Sequence, residues 1–586
     1  MELADRLSWK RILQSAWFRG ALIIVLIILA YLPAMHAGFI WDDDDHLTRN
    51  TCIVGPLGFR DIWLSSSAVY YPLVLTTFWL LHKFFGLNPV AYHLFNVIVH
   101  VANALVLWRV LRLLRVPGAW FGAALWALHP VMVQSVAWIT ELKNTQSCFF
   151  YLLSILFFLK ADENEGRLYR WRFSLSLLFF ALAATSKTST VMLPVVLALC
   201  IWWRRSEPDR RLALRGRDLI ALIPFLCISV AASAWTIWEQ KFHSGALGEE
   251  WAQTWPQRFA LAGRDVWFYC GKLFWPHPLI FIYPLWKIDT GKIVAFLPTL
   301  SAVAAMIFLW WKRNRSLRPV FFAAAYFLAS LFPVLGFFNV YFFRYSFVSD
   351  HFQYLAAIGP LALVGSAIAV AFGFVATRWS SAKGRVGLPS LLPIGAYAAL
   401  LAGLALLTWN QTKIYHDSKT LWNYVLSWNP GCWMAHNNLG NRLFAEGQLD
   451  EAISHLREAV TLQPQDGTYH YNLANALARQ RNFPEAFAAY RDALSVLPDS
   501  AEIRNNFAIA LVQGGKSNEA VEEFKTAVRI KPDYVKAHYN LGRLLVRLQR
   551  RSEALLEFKK VVDLKPDFAD AKKRLEALEA ANVTNH

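Results

Sequence analysis

For about its first 409 residues the chain alternates long apolar runs with short basic clusters, and beyond Trp409 it changes to a helix-favouring pattern of mixed charge. The first run, Ala21 to Tyr31 continuing to about Met35, is long enough to cross a bilayer as a helix. Further spans are read at 91–114, 119–137, 144–160, 173–186, 188–203, 218–237, 292–311, 319–336, 353–376 and 389–409, about eleven in all. The aromatic-rich run from Leu73 to Phe85 reads as an interfacial helix, and the Trp- and Tyr-rich segment 238–291 suits an interfacial position. Under this assignment the clusters Arg109/Arg112/Arg115, Arg167/Arg170/Arg172, Arg204/Arg205/Arg210/Arg211, Lys312/Arg313/Arg315 and Arg378/Lys383/Arg385 all fall on one side. The positive-inside rule makes that side, together with Lys10, Arg11 and Arg19, cytoplasmic. An odd span count then puts residues 410–586 outside the cytoplasm, on the side of the loop that follows the first span.

The polar C-terminal part is periodic. Pro430, Pro464, Pro498, Pro532 and Pro566 recur every 34 residues, in step with Asn438-Leu439-Gly440, Asn472-Leu473-Ala474, Asn506-Phe507-Ala508 and Asn540-Leu541-Gly542. Glu451-Ala452, Glu485-Ala486, Glu519-Ala520 and Glu553-Ala554 keep the same period. This is the tetratricopeptide (TPR) signature: small residues let paired helices approach and each proline ends a helix. The pattern predicts an all-α chain: a polytopic membrane domain over 1–409, a half-repeat connection over 410–432 around Leu421-Trp422, and a TPR superhelix over 433–586 with four repeats and a capping helix.

Composition sharpens this picture. Hydrophobic residues make up 56% of the 586 positions, too many for a wholly soluble chain. The net charge of +18 is spread in clusters between apolar runs, the distribution of a membrane protein and not of a nucleic-acid binder. Six cysteines lie scattered without CxxC spacing, so neither a zinc site nor a disulfide framework is indicated. There is no phosphate-binding Gly-rich loop, no HExxH and no dinucleotide-binding pattern.

Candidate chemistry gathers at Asp42-Asp43-Asp44-Asp45, just after the first span. Adjacent carboxylates repel, so they belong where water, a cation or a polar substrate meets them; a solvated loop with acidic helix caps is the other reading. Asp42, Asp43 and Asp44 are the candidates for a divalent cation. Ionisable groups inside or at the ends of spans are functional candidates or structural pairs. These are Glu141, Lys143, Lys187, Arg264, Asp350 and His351, with His129, Gln134 and Asn144 near them. Their cations are suited to a lipid phosphate. In the repeats, Asn438, Asn472, Asn506 and Asn540 form a ladder of amides that can pair with an extended peptide backbone, or serve packing within each helix pair.

Trp41-Asp42-Asp43, His129-Pro130-Val131, Val136-Ala137-Trp138-Ile139, Ser186-Lys187 and a last span leading into TPRs together resemble the transmembrane-and-tetratricopeptide protein O-mannosyltransferases and their bacterial relatives, over essentially the whole chain. The resemblance implies a GT-C glycosyltransferase fold with Asp42 and Asp43 as its catalytic acidic pair. It implies a polyprenyl-phosphate-linked sugar, mannose in the family, as donor, and Ser or Thr of a protein held by the TPRs as acceptor. It further implies a bacterial inner-membrane location. Gln134 stands where relatives usually have Glu, Leu142 where Arg is common, and His351 where Arg usually follows the acidic residue. A non-catalytic membrane-anchored TPR scaffold and a GT-C enzyme acting on glycan or lipid are the competing readings.

Overall fold

A computed structural model describes residues 15–64, 71–162, 170–205, 215–243, 245–246, 248, 251–313, 316–383 and 392–583. Lys10, Arg11, Arg167, Arg210, Arg211, Arg315 and Arg385 of the basic clusters, and Glu249 and Glu250, lie outside the described residues. Regular structure is helical throughout the described residues, without strands, and the chain divides into two compact units, Met1–Trp428 and Asn429–His586. The division falls within 410–432: the helix Ser418–Trp428 belongs to the first unit, where buried Trp422 meets the rings of Trp41 and Phe281.

The first unit runs α1 (Ala16–Tyr31), α2 (Pro72–Phe85), α3 (Pro89–Leu113), α4 (Ala119–Leu128), α5 (Leu142–Ala161), α6 (Arg170–Ser186) and α7 (Leu193–Arg205). It continues with α8 (Gly216–Phe242), α9 (Trp255–Phe274), α10 (Leu297–Lys312), α11 (Arg318–Leu331), α12 (Ile358–Lys383), α13 (Leu392–Thr412) and α14 (Ser418–Trp428). At its centre α3 packs on α4 and α5, and α12 on α4. Gly122 and Gly365 allow this last approach, since a Cβ on Gly365 would lie 2.6 Å from the Gly122 Cα. Small residues replace side-chain volume with backbone contact, as membrane helix pairs require.

Among the described residues, six stretches are long and apolar enough to span a bilayer: Ala16–His36, Pro89–Leu113, Ile139–Ala161, Gly216–Phe242, Ile293–Lys312 and Ile358–Val375. Shorter apolar helices at Ala119–Leu128, Thr188–Arg204 and Arg318–Val334 accompany them. Several sequence-predicted spans are thus broken, and proline is the reason. The expected single span over 119–137 ends at Leu128, where His129, with ψ of 130°, is forced extended before Pro130. A 3₁₀ turn, Pro130–Met132, and a short helix, Val133–Ala137, follow. Pro333 sits in the 3₁₀ turn that ends α11, and α12 begins at Ile358, five residues later than its expected start, after a 3₁₀ turn at Asp350–Gln353. These breaks place irregular, polar backbone next to the acidic loop. The segment 238–291 is resolved into the end of α8 and the amphipathic α9, which exposes Trp255, Phe259 and Trp267.

The second unit consists of helix pairs α15 (Trp433–Glu446) with α16 (Leu449–Leu462), α17 (Gly467–Arg479) with α18 (Phe483–Val496), α19 (Ala501–Gln513) with α20 (Ser517–Ile530), and α21 (Val535–Arg547) with α22 (Arg551–Leu564). A last helix, α23 (Ala569–Val583), packs on α22. Ala452, Ala486, Ala520 and Ala554 are fully buried, and a Cβ on Gly440 would lie 2.7 Å from Leu456 Cγ, so the repeated small positions are the contact points of each pair. A second recurrence closes the junctions: His436, His470, Arg504 and His538, 34 residues apart, each reach the carbonyl of the proline six residues earlier at 2.9–3.0 Å. A proline carbonyl at a helix end is an acceptor that must be met.

Three of the four ladder asparagines are bonded between repeats, while Asn438 accepts from the adjacent Asn437 at 3.4 Å. Asn472 Nδ2 donates to Asn437 Oδ1 at 2.8 Å, Asn506 Nδ2 to the Tyr471 hydroxyl at 2.5 Å, and Asn540 Nδ2 to Asn505 Oδ1 at 3.0 Å. At these three positions the bond spans neighbouring helix pairs and uses one of the two N–H groups of each amide. Asn472→Ala combined with Asn506→Ala is expected to destabilise the second unit by about 1 kcal/mol per lost bond. Faster amide exchange in α17 and α19 of the full chain checks this; unchanged exchange contradicts it.

Candidate functional site

The acidic loop follows α1 and opens with a tight turn. Trp41 has φ of 43°, left-handed backbone that a bulky residue seldom adopts. Its surroundings fix it: the indole stacks on Trp138 at 5.5 Å and meets the rings of Phe281, Tyr345 and Trp422 between 5.5 and 6.1 Å. Gly38 N also donates to His416 O at 2.9 Å, tying the loop to the segment before α14.

This turn gives the carboxylates different roles. Asp43 is fully buried and bonded on both oxygens: Ile40 N donates to Oδ2 at 2.8 Å, while Thr140 N, at 2.9 Å, and the Thr140 hydroxyl donate to Oδ1. It clamps the loop to the 3₁₀ turn Ile139–Glu141 that precedes α5. Asp44 accepts from Thr48 at 2.6 Å and pairs with Arg49 at 3.0 Å, and Asp45 is exposed. Asp42 is half-buried, and its carboxylate receives no hydrogen bond among the described residues. Burial pushes Asp42 up to about 6 while Lys143 draws it down; burial pushes Asp43 to about 7 against its three donors. Asp42, Asp43 and Asp44 face different partners, and among the described residues no three His, Cys, Asp or Glu side chains converge on a metal-sized site. The residues therefore do not fit the cation considered from sequence.

Beside this turn lies a cluster around Glu141, which is fully buried. Lys143 Nζ is 2.9 Å from Oε1, Lys187 Nζ 3.2 Å from Oε2, and His351 Nε2 3.9 Å from Oε1. Asn144 Nδ2 donates to Oε2 and also to the His351 carbonyl, at 3.0 Å. Two ammonium groups meet at one carboxylate, with Asp42 in the field of Lys143, and removing Glu141 would leave buried cations uncompensated. The Lys143 ammonium also lies 5.2 Å from the Tyr71 ring and 5.6 Å from that of Trp138, so Trp138 joins the acidic turn to the lysine cluster.

Gln134 organises the other wall. Its Nε2 faces Phe281 O at 3.4 Å, which directs Oε1 to accept from His351 N at 2.9 Å and Ser349 Oγ at 3.0 Å. With the serine proton committed there, His351 Nδ1, 2.7 Å from Ser349 Oγ, is the donor in that pair. Its Nε2 then carries a proton only in the imidazolium form. Leu142 is buried in an apolar cluster with Leu47, Ile62, Tyr71 and Phe78 beneath the acidic loop.

The structure brings together Asp42, Asp43, Glu141, Lys143, Lys187 and His351. It does not bring in Arg264, which is exposed on α9 with its guanidinium 4.1 Å from the Trp286 ring and joins none of the Glu141 ion pairs. Helix α9 is amphipathic, and Arg264 lies on its exposed side. Asp350 is next to His351 in sequence but accepts from the Tyr283 hydroxyl at 3.0 Å, in the field of Lys272. Sequence reasoning missed Thr140, Ser349 and the ring set of Trp41, Tyr71 and Trp138; the aromatic residues flanking the acidic run were the available signal. Asn438, Asn472, Asn506 and Asn540 belong to the second unit.

Comparison with known proteins gives repeat matches within the second unit and partial similarity to named transferases. Models described as TPR repeat match residues 440–481 and 508–549, and tetratricopeptide repeat models match 467–500 and 535–568. Protein O-mannosyl-transferase F38B6.6 of Caenorhabditis elegans is 27% identical over 234 residues, 37% of this chain and 33% of that protein. Protein O-mannosyl-transferase TMTC2 of Mus musculus is 30% identical over 149 residues, 23% of this chain and 18% of its own length. Protein O-mannosyl-transferase Tmtc1 of Drosophila melanogaster is 29% identical over 189 residues, 30% of this chain and 22% of that protein. The chain is TMTC-like. The TMTC-like matches span a third or less of these relatives' length. Among solved structures, MamA is 22% identical over 26% of this chain and 83% of its own, with a TM-score of 0.24.

The clamp and the free acid of this TMTC-like chain are separable. Asp43→Asn turns an amide donor toward Ile40 N–H or Thr140, and should cost about 1–3 kcal/mol, whereas Asp42→Asn breaks no internal bond. Both acids hold protons more tightly folded than unfolded, where the pKa is about 3.9. Their stabilisation is therefore complete below about pH 4 and lost as pH rises through about 6 to 7. Thermal melts across that range should show a lower midpoint for Asp43→Asn than for Asp42→Asn throughout, and a shallower pH slope than the wild type for both variants. The opposite ranking of the two variants contradicts the assignment.

Proposed function

We propose that this protein is a membrane glycosyltransferase of the GT-C type that transfers a sugar, mannose by resemblance, from a polyprenyl-phosphate donor to Ser or Thr of a polypeptide held by the TPR unit. The observation that carries this reading is the half-buried Asp42 carboxylate, without a hydrogen bond among the described residues, beside two lysines held on Glu141. The names of the TMTC relatives, protein O-mannosyl-transferases, favour a protein acceptor. TPR arrays bind extended segments on one face.

In this mechanism Asp42 takes the proton of the acceptor hydroxyl as oxygen attacks the anomeric carbon. The new bond from that carbon to the acceptor oxygen forms while its bond to the phosphate oxygen breaks, so the configuration inverts. Polyprenyl phosphate leaves as an anion, and Lys143 and Lys187, oriented by Glu141, meet the charge that grows on it. Burial that raises Asp42 toward neutrality makes it a better base than an ordinary carboxylate while leaving it mostly ionised at neutral pH. Asp43 holds the turn, and Gln134 fixes His351 at the edge of the cluster. The apolar surroundings of Leu142 leave no cation at that position. The TPR unit and the acidic loop share the non-cytoplasmic side of a bacterial inner membrane in this reading.

Membranes carrying the wild-type chain are expected to transfer label from a polyprenyl-phosphate sugar to protein. Asp42→Asn should lower turnover by about a hundredfold or more, the scale of a lost acid–base group, without altering membrane insertion. Asp45→Asn should transfer at close to the wild-type rate. Equal transfer by wild type and Asp42→Asn favours the scaffold reading, and label found in glycan or lipid favours the other acceptor class.

A further inference from the structure

The first unit also encloses an apolar cavity of about 370 Å³ at the far end of the helices that carry the candidate site. Leu107 of α3, Ile155 of α5, Val196 of α7, Phe322 of α11 and Leu363 of α12 contribute to its wall. Ile155 lies along α5 from Leu142 by about 20 Å at the rise of an α-helix, so the cavity is separate from the acidic loop. Val370, on its rim, is 56% exposed on the outer surface of α12. A dry apolar void forfeits the dispersion contacts of its lining, and an apolar chain is the occupant that restores them.

The mouth is basic. Leu114, Val116, Trp203 and Pro319 line this end, and Arg115, Arg204 and Arg318 are their neighbours in sequence. Arg318 Nη2 donates to Trp203 O at 2.5 Å, which fixes it at the mouth, Arg204 Nη1 donates to Leu159 O at 2.8 Å, and Arg115 is exposed on a left-handed turn with φ of 55°. None of the three is in an ion pair among the described residues. We infer that the cavity holds one acyl chain of an anionic glycerophospholipid whose phosphate rests among Arg115, Arg204 and Arg318. The site is independent of the sugar donor, whose phosphate belongs near the lysines at the other end of α5.

Native mass spectrometry of the full chain, with dioleoyl phosphatidylglycerol and dioleoyl phosphatidylcholine at equal concentration, tests the inference. Phosphatidylglycerol should be retained over phosphatidylcholine by about fivefold or more, the scale of one arginine–anionic-lipid contact. Ser366→Trp, which fills the cavity from α12, should lower retained phosphatidylglycerol about tenfold, a change of about 1.4 kcal/mol. Arg115→Gln with Arg318→Gln should bring the two lipids to equal retention. Equal retention by the wild-type chain, undiminished retention by Ser366→Trp, or displacement of phosphatidylglycerol by an equal concentration of polyprenyl phosphate overturns the inference. Should Ser366→Trp not fold, the arginine variant decides alone: a preserved preference refutes the site and a lost one supports it.

Discussion

A carboxylate taken out of water must be met by donors, and Asp43 meets that requirement with two backbone N–H groups and one hydroxyl. Everything at the candidate site depends on this clamp. It fastens the acidic turn to the start of α5, the helix that carries Lys143 and Asn144. It leaves Asp42 half-buried with no hydrogen bond to its carboxylate among the described residues. The left-handed Trp41 backbone is tolerated because four rings and the Asp43 anchor over-determine it, which is how strain persists in a folded chain.

Membrane context explains why the same region is polar yet ordered. Prolines at 130 and 333 interrupt apolar runs and free backbone groups that must find partners. Asn96 Nδ2 lies near the carbonyls of Ser135, Val136 and Trp138, at 2.9 Å from the second, and so absorbs part of that break. Gln134 and Asn144 bond to the backbone of His351 across the helices. The lysines are held by Glu141, so two buried ammonium groups stand at the site with a carboxylate partner.

Much of this was legible in the sequence, for reasons that differ by region. The TPR unit was readable because each 34-residue repeat must bury the same small residue against the next helix. The acidic run announced itself by four adjacent charges after an apolar span. Which of the four is anchored was not readable, because the clamp joins Asp43 to Thr140, far along the chain. Arg264 was misgrouped because charge in an amphipathic helix does not tell which cluster it faces. The inter-repeat amide bonds had a signal that sequence reasoning passed over: the residue before each ladder asparagine alternates Asn437, Tyr471, Asn505, Tyr539, and the first three accept from the repeat that follows.

The proposed role of Asp42, tuned by burial and by Lys143, is to accept the proton of the acceptor hydroxyl. Its most direct test is the pH dependence of kcat/KM for sugar transfer in the wild-type chain and in Lys143→Gln. The wild type should lose activity on the acid side through a group of pKa about 6. Removing the cation that draws Asp42 down should move that limb to higher pH. An acid limb that stays in place in Lys143→Gln, with transfer otherwise measurable, would contradict the assignment of Asp42 as the base.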